Sequence, residues 1–69
     1  MKIPRGKILK NKRLQLGWTQ STLLHFCRRM GMICGLSKIS FWENGHKEIS
    51  DRDWQMLIYI FGDSKNFED

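Results

Sequence analysis

A chain of 69 residues has room for one domain, and a domain that small buries only about 60% of its unfolded surface, so pairing with a second copy would help it. Two cysteines are too few for a disulfide scaffold and suit a reducing cytoplasm. The longest apolar run, residues 56–61, is far short of the ~20 residues that span a bilayer, and Met1, Lys2, Ile3, Pro4 and Arg5 lack the apolar core and cleavage site of a signal peptide.

The net charge of +5 is unevenly divided. Residues 1–42 carry nine cations and no acid, a charge of +9, whereas residues 43–69 carry seven acids against three cations, a charge of −4. An acid-free basic half attracts a polyanion, and nucleic acid is the leading partner. The competing reading is a solvated basic face that serves solubility.

Pro4 and Gly6 disfavour helix around them, so residues 1–5 read as a loose basic arm. An exposed basic helix over residues 7–16, with Ile8, Leu9, Leu14 and Leu16 as its apolar positions, stops at Gly17. Thr19 is an N-cap candidate for a second helix, whose Leu23, Leu24, Phe26 and Cys27 fall on one broad face. Gly31 and Gly35 make residues 30–35 irregular or only partly helical. Ser37 caps a third helix that Gly45 ends. Ser50, with Asp53 three residues on, resembles a capping box for the last helix, and Asp51 and Asp53 suit its positive end. Trp54, Leu57, Ile58 and Phe61 then recur as a core-facing stripe, Gly62 closes the helix, and residues 63–69 form a short acidic tail. No segment reads as a strand. The expected fold is all-α, a compact bundle of four or five short helices over residues 6–62.

In the third helix Ile39 and Trp42 lie three apart and face the core. Ser37, Lys38, Ser40 and Phe41 are left on the outward side as candidate base contacts: Lys38 toward guanine O6/N7, the serines toward several base edges, Phe41 toward a thymine methyl. If the helix were rotated, Phe41 would be core instead.

Lys12, Arg13, Leu14, Gln15, Leu16, Gly17, Trp18, Thr19 and Gln20, then Leu23, then Ile39, Ser40, Trp42, Glu43, Asn44 and Gly45 together resemble the Cro/repressor (XRE-type) helix-turn-helix family over about residues 7–61. The resemblance implies a major-groove recognition helix at residues 37–44 and a homodimer on a palindromic double-stranded DNA operator. It also implies a phosphate contact for Gln20, at a helix start where backbone N–H groups and the side-chain amide can clamp an anion; a plain helix-start polar residue is the alternative. Arg13 and Glu43 match a pair that ties the first helix to the end of the recognition helix; an exposed Arg13 bound to phosphate is the alternative. Asn44 and Lys47 match positions on the sugar-phosphate backbone, with ordinary surface charge the alternative for Lys47. Lys10, on the basic first helix, joins the phosphate set.

The chain departs from the family in two ways. Between Thr19 and Gly45 it is longer by about five residues, which extends the second helix or the turn and brings Arg28 and Arg29 near the turn, within reach of a phosphate. Only seven residues follow Gly62, so a dimer interface is expected elsewhere than in a fifth helix. Cys27, Cys34, His25 and His46 lack metal-ligand spacing; Cys27 reads as a small core residue and Cys34 as a turn residue. No Ser/His/Asp set or phosphate loop is present. The expectation is a non-enzyme with no cofactor, acting as a repressor. The alternative from another class is a protein-interaction module on the same helical fold.

Overall fold

The computed structural model describes residues 3–62. Four helices follow one another: α1 Arg5–Gln15, α2 Gln20–Arg29, α3 Leu36–Glu43 and α4 Asp51–Ile60. The fold is all-α, with no strand among the described residues and no described helix long and apolar enough to cross a membrane. The expected acidic tail, and Met1 and Lys2 of the expected arm, lie outside the described residues.

α1 starts two residues earlier than the sequence suggests. Pro4 is its N-cap, and the Pro4 carbonyl accepts from the Ile8 amide at 3.2 Å. Proline's fixed φ and missing N–H suit a helix start. Arg5 is therefore helical, and its guanidinium donates to Asp51 at 2.7 Å and to the Ile49 carbonyl at 3.2 Å. Gly6, expected to break the helix, is instead inside it and buried. A Cβ built there would lie 1.8 Å from the Trp42 carbonyl oxygen. Only glycine lets the α1 backbone come this close to the end of α3. The buried stripe of α1 is Gly6, Leu9 and Arg13, which has helical spacing but a single aliphatic residue.

Thr19 caps α2, its Oγ1 accepting from the Thr22 amide at 3.1 Å. Leu23, Leu24 and Cys27 are buried. Gly31, at φ 82°, reverses the chain after α2: its amide donates to the Arg28 carbonyl, and the Met32 amide to the Cys27 carbonyl, both at 3.0 Å. This is a Schellman closure, and it delivers Met32 into the core. Residues 30–35 are non-helical. The connection between α2 and α3 thus has six residues, two or three more than the three or four of a helix-turn-helix turn.

α3 starts at Leu36, two residues earlier than a Ser37 cap requires. Its N-cap is Gly35, in extended backbone at φ −142° and ψ 171°, with no side-chain cap bond. The Ile39 amide donates to the Gly35 carbonyl at 3.1 Å, a register that buries Ile39 and Trp42. Ser37 falls within the first turn. α4 begins as the sequence suggests: Ser50 Oγ accepts from the Asp53 amide at 3.2 Å, and Trp54 and Leu57 are buried. Ile58 and Phe61 pack against the core edge.

α3 packs against both α1 and α2, and α2 also packs against α4. The Trp18 ring, in the α1–α2 turn, stacks on Phe26 at 4.7 Å and on Phe61 at 5.3 Å between ring centres, so one indole joins the turn, α2 and the end of α4. Offset stacks of this kind add ~0.5–1.5 kcal/mol beyond their burial.

Gly6→Ala sets a methyl against backbone that cannot step aside. It is expected to destabilise at the upper end of the ~1–3 kcal/mol range for overpacking, outweighing the ~1 kcal/mol that alanine gains in helix propensity. Thermal melts should show a drop of roughly 10–20 °C in Tm. Gly35→Ser, at a position with open space around it, should instead supply the absent cap and raise Tm.

Candidate nucleic-acid interface

Arg13 is a charged residue buried in the core. Its Nε donates to Glu43 Oε2 at 2.8 Å, Nη2 donates to Glu43 Oε1 at 3.0 Å, and Nη1 donates to the Trp18 carbonyl at 2.6 Å. A bidentate guanidinium–carboxylate pair of this geometry is the strong, directional kind. The Glu43 hydrogen bonds, opposed by burial, raise the Arg13 pKa above its ordinary value, so the guanidinium is charged at every usable pH. Gln20 completes the cluster, its Nε2 donating to Glu43 Oε1 at 3.1 Å. The start of α2, the end of α3 and the middle of α1 meet at one carboxylate. The Gln20 amide nitrogen, expected at a phosphate, is directed inward to Glu43.

This cluster has an electrostatic consequence. Glu43 is the first acid in the chain, and its side chain is only 2% exposed, with three donors on it. The surface built from residues 3–43 therefore shows cations without a free carboxylate. Lys10 is exposed on α1, Arg28 and Arg29 are exposed in the last turn of α2, and Lys47 is exposed after α3. Asn44, the C-cap of α3, lines a groove of about 370 Å³ together with Lys7, Lys10 and Asn11. Lys47 lines an adjoining hollow with Pro4, Arg5 and Gly6. Of the expected phosphate set, Lys10 and Asn44 thus share one groove and Lys47 sits beside it, whereas Arg28 and Arg29 line neither hollow. The sequence reading passes over Lys7 and Asn11. Their spacing from Lys10 on one helical face is the signal that marks them.

On α3 itself, Ser37 and Phe41 are exposed. Phe41 keeps 48% of its surface in solvent with His46 edge-on at 6.1 Å, so the helix is not rotated to bury it. Ser40 is half-buried and its Oγ accepts from Asn44 Nδ2 at 3.2 Å. Lys38 departs from its expected place on the outward face. Its Nζ donates to the Ile33 carbonyl at 3.3 Å, lies 3.8 Å from Asp53, and sits 5.4 Å from the centre of the Trp42 ring. Position 38 flanks the buried pair, so the aliphatic stem covers Trp42 and the ammonium finds partners toward α4. Leu36, left outside the helix by the sequence reading, is the first helical residue of α3 and 46% exposed.

The cysteines and histidines are not gathered. Cys27 is fully buried and Cys34 lies beside it, whereas His25 is edge-on to Phe26 and His46 to Phe41. Among the described residues no group of three or more His, Cys, Asp and Glu side chains is placed to hold a metal ion. Comparison with family models, curated proteins and solved structures returned no match.

Two expected outcomes follow from these contacts. Arg13→Met or Glu43→Leu alone leaves a buried charge without its partner, which costs ~3–5 kcal/mol, whereas replacing both together is far milder. In denaturant melts the double variant should recover most of the loss, short of full recovery because the Trp18 carbonyl loses its donor. Separately, burial and the neighbouring Cys34 push the Cys27 thiol up to about 12 from an ordinary 9.0. The unfolded chain releases this proton near 9 and the folded chain holds it, so stability present below pH 9 falls as pH rises toward 12, by about 1.4 kcal/mol per pH unit. Denaturation at pH 8, 9 and 10 should show this decline, and Cys27→Ala should flatten it.

Proposed function

We propose that this chain is a sequence-specific double-stranded DNA-binding regulator, a repressor that docks α3 in the major groove of a palindromic operator as a homodimer. The observation that carries the reading is the enclosure of Glu43 by Arg13 and Gln20. It leaves residues 3–43 with exposed cations, among them Lys10, Arg28 and Arg29, and no exposed acid, and Lys10 shares a groove with Asn44 at the end of α3. The resemblance of residues 7–61 to the Cro/repressor helix-turn-helix family supports the same reading. Phosphate neutralisation by these cations supplies most of the affinity, and side chains of α3 discriminate between sequences. Two recognition helices about 34 Å apart match one turn of DNA, the spacing a homodimer on a palindromic operator requires. Two free cysteines suit work in the reducing cytoplasm. No catalytic role or cofactor is part of this reading.

A second reading, a protein-interaction module on the same fold, is favoured by the exposed apolar side chains Ile33, Leu36 and Phe41. Phe41→Ala separates the two. A DNA reader loses operator preference and keeps nonspecific binding, because the phosphate contacts survive; an interaction module loses a protein partner with DNA binding unchanged.

Gel shifts against the chain's own promoter DNA across a salt series test the proposal. Affinity should fall steeply with salt, and alanine at Lys10, Arg28 or Arg29 should each lower the slope of log affinity against log salt by about 1 per protomer. A flat salt response, or no preference over random DNA, would sink it.

A further inference from the structure

We infer that α3 reads thymine methyl groups, so the operator half-site beneath it is built of A·T pairs at the contacted positions; this rests on the proposed DNA-binding function. The sole cation of α3 is Lys38, and it does not stand on the outward face. Its ammonium is held by the Ile33 carbonyl, Asp53 and the Trp42 ring. To reach a guanine it must leave all three and uncover the indole. The commonest specific partner of guanine is Arg or Lys donating to O6 and N7, and none is free on this helix.

At about 100° per residue, the outward side chains run around α3 in the order Leu36, Ser40, Ser37, Phe41. Two hydroxyls lie between two half-exposed apolar groups, and no charge lies among them. Hydroxyls accept or donate to any base edge and discriminate little. The apolar pair has one matching feature in the major groove, the C5 methyl of thymine. Leaving both Leu36 and Phe41 about half in water, in a domain with so small a core, marks a surface that is covered on binding. Lys38 acts on this face as a positioning residue: it ties the first turn of α3 to the 30–35 connection and to α4.

Selection of bound duplexes from random sequence, using the full chain, comes first and should return half-sites with A·T pairs beneath α3. Deoxyuridine is then placed at each selected thymine, which removes the methyl and keeps the base pair. Affinity should fall about fourfold for each methyl buried against Leu36 or Phe41. Phe41→Ala and Leu36→Ala should each abolish the uracil effect at one position. Both side chains lie at the surface, and a melt of each variant checks that it folds. Selected half-sites with guanine under α3, or affinity indifferent to uracil, overturn the inference while sequence-specific DNA binding stands. Failure of the selection to enrich any sequence overturns both.

Discussion

The buried pair of Arg13 and Glu43 is the interaction on which the rest of the molecule depends. Removing two charges from water costs several kcal/mol per ion, and the mutual attraction repays this only when the remaining donors and acceptors are satisfied. Here they are: each nitrogen of the guanidinium has a partner, and the carboxylate takes three donors. Such a pair contributes orientation more than net stability. It sets the end of α3 against the middle of α1, holds the α1–α2 turn through the Trp18 carbonyl, and draws in the start of α2. It also removes a negative charge from the surface that the proposed function needs to be positive.

Close approach of backbones makes that geometry possible. Gly6 lets α1 lie against the Trp42 carbonyl one residue before Glu43, and two helical turns later along the same stripe Arg13 meets the carboxylate. A larger residue at position 6 would push α3 outward and lengthen every contact in the cluster. The aromatic stack of Phe26, Trp18 and Phe61 holds the other side. With so few fully buried side chains, the domain relies on backbone proximity and one polar cluster where a larger protein would rely on core volume.

α2 and α4 are legible in the sequence because each announces itself locally: Thr19 and Ser50 are side-chain caps, and the apolar positions that follow have helical period. The inward pair of α3, Ile39 and Trp42, is legible for the same reason. α1 is legible as a helix, but its start and its buried face are not, because that stripe is a glycine, a leucine and an arginine, and hydrophobic periodicity cannot register a stripe whose members are buried by backbone contact and ion pairing. The start of α3 is missed because a serine is the better cap by propensity, whereas burial of Ile39 and Trp42 decides the register and leaves Gly35 at the boundary. Lys38 is misplaced for a related reason. Periodicity assigns a side chain to a face, but a long flexible cation on a flank goes where its partners are, and Ile33 and Asp53 come from segments that only the tertiary fold brings near. Arg13 and Glu43, thirty positions apart, could be linked in the sequence only through a family resemblance.

The capless start of α3 has a thermodynamic meaning. α2 and α4 begin with a side chain on a backbone amide, worth a few tenths of a kcal/mol over the glycine at which α3 begins. The first turn of α3 therefore opens at slightly lower free energy than those of α2 and α4. In the proposed complex, completing that turn on contact would withdraw conformational entropy, and burial of the half-exposed Leu36 and Phe41 would give a negative heat capacity of association. Binding through this helix would then depend on temperature more steeply than binding through a helix capped at its start.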